Sequence, residues 1–512
     1  MKHLNILFIL LIGFLCHLNA QKATINNVQK SALQTSDVIK QGSEVKGYYF
    51  FYISDKIDRK TNQYTLRIMD NNLNVLKEIT FTDSKGVTVL EASFNGSDLL
   101  FLFYNEDERT FEYQLYGPDG KKKPFFYGRS LSKRENMYVE LFYKSFKDEE
   151  NSYKGIFPVE EKGFLSNMPL VEDGHYTFQL DYFSSEKKKQ WSFTPLDDVK
   201  RVIGDFLGYH NGIIYVSTLK YRTAFSGNPE STIIGLDLET GKMLFEKPTS
   251  SKFRFVPSST SVLNGQVCFY GEYFNLDDNV IKDHSLGLAI WALDSKGKIV
   301  VEKYNSWTGD LSKYLNVSAK GKIEDFGYLF LHNIVQSSDG NIYAIGEGYR
   351  KVASGLGIAM SVMGGRGNLL KFLISDLAVI QFDKDFTLKG VKIYQKNENS
   401  VELPSGYDLN SISMLGKYIK HTMGGFDYRY IQANKDFSSF SICYSDYERS
   451  KDYKGGTFKS ISFNNGKFTE DRIETLSEAS KSWVLPGKQG QVLLIDYYKK
   501  DKRLEAHFEK LN

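Results

Sequence analysis

Residues able to do chemistry are present in this chain but are not gathered into a familiar catalytic pattern. The segment 352–374, VASGLGIAMSVMGGRGNLLKFLI, is rich in glycine and free of acids, the composition from which phosphate loops are built. Gly355-Leu356-Gly357 is followed by Met360 where a third glycine would be required, and Gly364-Gly365-Arg366-Gly367 is not followed by Lys-Ser or Lys-Thr. Neither pattern that lets backbone N–H groups cradle a phosphate is complete. Leu356, Met360 and Met363 fall at i, i+4 and i+7, one face of a short helix. Together with Ile358 and Arg366 they form the expected partner contact of this insertion, since methionines adapt to irregular surfaces.

The histidines His175, His210, His284, His332, His421 and His507 lie far apart, with no HExxH or HxH pair. No GxSxG elbow occurs, and Cys268 and Cys443 sit inside apolar strand-like runs where buried thiols are expected. Carboxylates are plentiful. A glycosidase needs two of them across a cleft, and the sequence does not single out a pair. The residues therefore point to no catalytic centre, no metal site and no cofactor. Three aromatic segments, GYYFFYISD at 47–55, YKSFKDEENSYKG at 143–155 and GGFDYRYIQ at 424–432, carry Tyr and Phe on both strand faces. Packing between sheets is the first expectation for them, and stacking on a sugar or peptide is the second.

What must position these residues is a repeat. Seven segments read as an alternating strand, a tight polar turn and a second strand rich in Lys and aromatics. Two of them are YTLRIMDNNLNVLKEITF and IIGLDLETGKMLFEK, and the turns DNN, PDG, SSE, ETG, SKG, KDF and NNG carry the hairpin-forming residues. Another strand after its own turn precedes most of them, for example YHNGIIYVSTLKY. Gly241 and Gly297 lie 56 residues apart, the length of one four-stranded unit. The chain is expected to be all-β: a β-propeller of about eight four-stranded blades, with seven as the alternative. Its last three strands, in 481–510, would be completed by the N-terminal KATINNVQ, closing the ring. GLDLETGKMLFE resembles the outer-strand repeat of quinoprotein-type propellers, with Phe245 where those have Trp. In such families that pattern is structural, so it implies the fold and no quinone.

Residues 1–20 read as a signal peptide: one Lys, an apolar core and Ala20 before the cleavage point. The core is about ten residues, against the ~20 of a spanning helix. Residues 21–512 are expected to form a single propeller domain with insertions near 306–325, 350–375 and 403–425. With 65 basic and 62 acidic side chains, the net charge of +3 gives no reason to expect nucleic acid or an anionic membrane. The segments GYYFFYISDKIDRKTNQYTLRIMD and GEGYR…SGLGIAM resemble those of an uncharacterised family of secreted proteins from Gram-negative bacteria, which implies no activity. The expectation is an exported, periplasmic or extracellular, non-enzymatic protein that binds protein, peptide or glycan on one propeller rim. The rival is a polysaccharide-acting hydrolase or lyase with carboxylates in the central channel.

Overall fold

The computed structural model describes residues 22–511 apart from 42–43, 118–120, 140–142, 144–153, 160, 173, 187–188, 196–198, 224–227, 355–369, 403–411, 421–423 and 476–477. Sequential four-stranded antiparallel meanders occupy 30–84, 87–130, 254–306 and 428–474. The strands of 156–193 and 201–248 are joined into one sheet by a single parallel bridge, Tyr176 to Arg201. The 328–394 sheet carries a short extra strand, Asn399–Val401, which the sequence did not suggest. The last sheet takes three strands from 481–510 and a fourth, Lys22–Ile25, from the other end of the chain. Opening strands lie side by side: Lys30–Gln41 against Val87–Phe94, Arg254–Leu263 against Tyr328–Gln336, and Lys481–Pro486 against Lys30–Gln41. Four-stranded meanders repeated in this way are β-propeller architecture.

The expected hairpins all fall between the third and fourth strands of a sheet. Four of their turns share one device. Asp70 Oδ1 accepts the N–H groups of Asn72 and Asn74, both at 2.8 Å, and Asp294 Oδ1 accepts those of Lys296 and Lys298, both at 2.9 Å. Asp383 repeats this with Asp385 and Thr387, and Asp237 with Thr240. In the first and third of these turns a non-glycine residue takes the left-handed conformation, Leu73 at φ 64° and Phe386 at φ 62°. That backbone costs about 1–2 kcal/mol, and both side chains are buried in apolar clusters that offset it. At Gly241 and Gly297 no side chain would fit. A Cβ would meet the Trp191 ring at 2.5 Å in the first case and the Phe245 ring at 2.6 Å in the second. Trp191 lies on the outer strand of 156–193 and Phe245 on that of 201–248, so each ring packs against the turn of the unit that follows.

Packing runs between consecutive sheets. Tyr49, Phe51 and Leu66 meet Leu99, Phe101 and Phe103, and Phe164 and Met168 of the following sheet meet Leu100 and Tyr113. Further along, Tyr215 packs on Phe269 with ring centroids 5.3 Å apart, and Tyr343 packs on Phe440 and Phe463. Finally Tyr48 and Phe50 of the 30–84 sheet share a cluster with Trp483, Leu493 and Ile495 of the 481–510 sheet. The GYYFFYISD run is thus core on both faces, each face supplied by a different neighbouring sheet. Cys268 and Cys443 are buried and unpaired with one another.

Of the expected interruptions, 306–325 is described throughout and those near 350–375 and 403–425 in part. In 306–325, Trp307, Leu311 and Ile323 are buried between the 254–306 and 328–394 sheets around a short 3-10 turn, Leu311–Lys313. The strands flanking the glycine-rich insertion run on as a paired extension, Tyr349 to Ile374 through Ala353 to Leu370. Two α-helices occur among the described residues, Lys133–Val139 and Ile412–Tyr418, and neither they nor any other described helix is long and apolar enough to cross a membrane.

Candidate functional site

Because opening strands converge, their side chains meet in one place. Residues of Lys30–Gln41, Val87–Phe94, Ile156–Val159, Tyr428–Ala433 and Lys481–Pro486 line a cavity of about 480 Å³. This is within the usual range for small-molecule sites, ~300–1,000 Å³. Its charged wall is Asp37, Lys40, Glu91, Lys154 and Arg429, and its aromatic wall includes Tyr49, Phe94, Phe157 and Tyr430.

Each charged group is held differently. Lys40 Nζ stands 5.6 Å over the Tyr430 ring. Burial lowers its pKa, Asp37 acts in the opposite direction, and Lys154 depresses it further. Arg429 is aimed by an Nε–H donated to Ser445 Oγ at 2.9 Å. Glu91 is fully engaged. It accepts from Tyr143 Oη at 2.9 Å and from the N–H groups of Gly155 and Ile156 at 2.8 and 3.0 Å. Those contacts tie down the start of the next sheet and place Lys154 beside the cavity. Burial raises Glu91 to about 7 against these hydrogen bonds and the pull of Lys154. Cys443 lies beside Tyr430, but burial pushes its thiol up to about 12, so it is no nucleophile at neutral pH.

One consequence is measurable. The folded-state value of Glu91 lies above the unfolded one, so the folded protein holds that proton more tightly between pH 4.5 and about 7. Its contribution to stability falls as pH rises through that window and is flat above it, a change on the order of 3 kcal/mol. Glu91→Gln should remove that slope in urea unfolding measured at pH 5, 6, 7 and 8, and an unchanged slope would refute the assignment.

Helix Ile412–Tyr418 packs against the opening strands Arg254–Leu263 and Tyr328–Gln336. Lys417 Nζ donates to Pro257 O at 3.1 Å on one opening strand, and Tyr349 Oη donates to Ile412 O at 2.7 Å. Leu415 and Ile419 are fully buried with Phe330, Tyr349 and Phe426. Just beyond the helix, Lys420 Nζ lies 5.2 Å from the Tyr428 ring. Burial lowers it to about 8, with Glu347 opposing and Arg429 and Lys154 adding to the depression.

Behind Tyr428 is a second polar cluster with no solvent access to its central side chains. Lys396 Nζ lies 2.6 Å from Asp427 Oδ2 and 3.2 Å from Glu347 Oε1. His332 Nε2 lies 3.1 Å from Glu347 Oε2, and the N–H groups of Asp427 and Tyr428 donate to the two Glu347 oxygens. The cluster joins the 328–394 and 428–474 sheets as Glu91 joins the two before 201.

The expected contact residues Leu356, Ile358, Met360, Met363 and Arg366 lie outside the described residues. The cavity was not foreseen from the sequence, yet all three aromatic segments reach it, through Tyr49, through Tyr143 and Lys154, and through Arg429 and Tyr430. The charges interleaved with those aromatics were the available signal.

The fold and its converging strands define a β-propeller protein. The whole chain, residues 1–512, matches the model of a family of unknown function, DUF6770, and belongs to it. No curated protein matches the sequence. Among solved structures the chain is similar to prolyl oligopeptidase B from Galerina marginata, at 10% identity and TM-score 0.39, covering 93% of this chain and 55% of that one. It is also similar to the β-propeller domain of the Trilobed protease from Pyrococcus furiosus, at 11% identity and TM-score 0.31 over 73% and 96% of the two chains. The WD40 domain of SCAP from fission yeast gives 7% identity and TM-score 0.33 over 95% and 94%.

Proposed function

We propose that this chain is an exported, non-enzymatic binding protein, an eight-bladed propeller closed by its N-terminal strand, that takes a ligand in the central cavity. The observation that carries the reading is the convergence of five opening strands on one polar-and-aromatic cavity of about 480 Å³. The pairing of Lys22–Ile25 with Arg503–Lys510 supports closure, and the signal-peptide pattern of residues 1–20 supports export. A mature chain beginning at Gln21 is the expected mass.

The polymer-cleaving alternative has less behind it. The carboxylates on the cavity wall are Asp37 and Glu91, and both Glu91 oxygens are occupied by protein donors. A hydrolytic acid or base needs a free oxygen within reach of substrate. The test is a cavity-filling variant, Ala92→Trp, beside the wild type in a thermal-shift screen of small metabolites. Ligands that raise the wild-type Tm should leave the variant unmoved. Equal shifts in both would place binding elsewhere and refute the reading.

A further inference from the structure

We propose that the ligand of the central cavity is a small anion, a compact molecule bearing carboxylate or phosphate groups; this rests on the cavity reading above. Lys40, Lys154 and Arg429 come from three separate parts of the chain and line one space. Lys420, whose Nζ lies 5.2 Å over the Tyr428 ring, senses the charges of Arg429 and Lys154. Asp37 is the carboxylate whose charge favours the ammonium of Lys40, and the charge of Lys154 acts on Glu91. Against these cations the wall sets Asp37 and Glu91, and Glu91 is already satisfied by three protein donors.

Like charges gathered at a partly desolvated wall are costly: burial is the main cause that makes the charged forms of Lys40 and Lys420 unfavourable, and the charge of Lys154 adds to it in both. Water in the cavity screens that repulsion weakly, whereas a bound anion removes it. The field of several cations focused into a recess also concentrates anions from solution. Tyr49, Phe94 and Phe157 supply apolar contact for the body of the ligand, and the volume limits that body to a small molecule. The near-neutral chain shows that this is a local arrangement rather than a generally basic surface.

The experiment is calorimetric titration of the full mature protein with citrate, glucose 6-phosphate and glucose at low and physiological salt. At least one acid should bind where glucose does not, with affinity falling several-fold as salt rises. Lys40→Met and Arg429→Met, checked for unchanged circular dichroism and Tm, should each weaken that acid by about tenfold. Failure of both acids to bind at millimolar concentration overturns the proposal, as does glucose binding as tightly as glucose 6-phosphate, or charge variants that bind like wild type. The two readings separate. A neutral ligand lost in Ala92→Trp but kept in Lys40→Met leaves the cavity site standing and removes the anion, while an acid that binds Ala92→Trp normally removes both.

Discussion

Lys396→Met is expected to cost the fold about 3–5 kcal/mol at neutral pH, the range for removing one partner of a buried ion pair. Lys396 is the ammonium between two buried carboxylates, Glu347 at 3.2 Å and Asp427 at 2.6 Å. Methionine fills the space but leaves both acids facing a desolvated site. Burial already raises both, and Asp427 lies at about 6 with Glu347's charge adding to the shift and Lys396 opposing it. Without Lys396 they rise further. The variant's deficit must therefore shrink as pH falls and the acids take up protons, and grow as pH rises through 6 to 8. Lys396 itself is raised above 10.5, its own burial being outweighed by the two acids, so its support is complete at neutral pH and fades only in strong alkali.

Asp427→Asn is the informative companion. It leaves a one-to-one pair of Lys396 with Glu347 and keeps an oxygen for Asn399 Nδ2, which donates to Asp427 Oδ1 at 3.1 Å. Its expected cost is about 1 kcal/mol. In the wild type the raised Asp427 makes its contribution fall as pH climbs from 3.8 to about 6, and the variant should lack that component. Urea unfolding at pH 5 and 7 measures all of this. Equal stability of Lys396→Met and wild type at pH 7 would show that the cluster is not the junction we describe.

Ile25→Asp should be at least as damaging, about 4 kcal/mol or more, because an unpaired carboxylate would be placed in a site with no solvent access. Ile25 pairs with Leu504, and the residues after it connect two sheets far apart in sequence. Val28 N–H donates to Lys502 O at 2.7 Å, and Tyr497 Oη donates to Val28 O at 3.2 Å, while Gln29 N–H donates to Ile53 O at 2.8 Å. Tyr48 Oη reaches across to Pro486 O at 3.1 Å. Lost pairing at residue 25 therefore exposes both the 481–510 sheet and the face of the 30–84 sheet against it. Lys22→Ala is the control. Lys22 forms a half-exposed pair with Glu505, so its loss should cost under about 1 kcal/mol. Limited proteolysis should release the C-terminal strands from Ile25→Asp and not from Lys22→Ala. An Ile25→Asp protein within 1 kcal/mol of wild type would mean that the N-terminal strand does not hold the 481–510 sheet in place.

The hairpins were legible because their causes are local. An Asp at the end of the third strand caps a turn a few residues on, and alternation sets the flanking strands. Helix Lys133–Val139 was also written locally. Ser132 and Glu135 form a capping box, with Ser132 N–H donating to Glu135 Oε2 at 2.8 Å and Glu135 N–H to Ser132 Oγ at 3.3 Å. The strand repeat on either side obscured it. The contact of Phe245 with the turn at Gly297, by contrast, was not legible, because it joins two separate units of the repeat.

By itself, then, the sequence determined the all-β repeat, the turn chemistry and the burial of the two thiols. Those properties follow from residues a few positions apart. The tertiary structure alone decided that Lys40, Glu91, Lys154 and Arg429 share one cavity and that Glu347, Lys396 and Asp427 share one buried cluster. Each residue in these groups sits at an unremarkable position of its own segment. What joins them is the stacking of sheets around their opening strands, and burial then changes the cost of their charges, which no local pattern records.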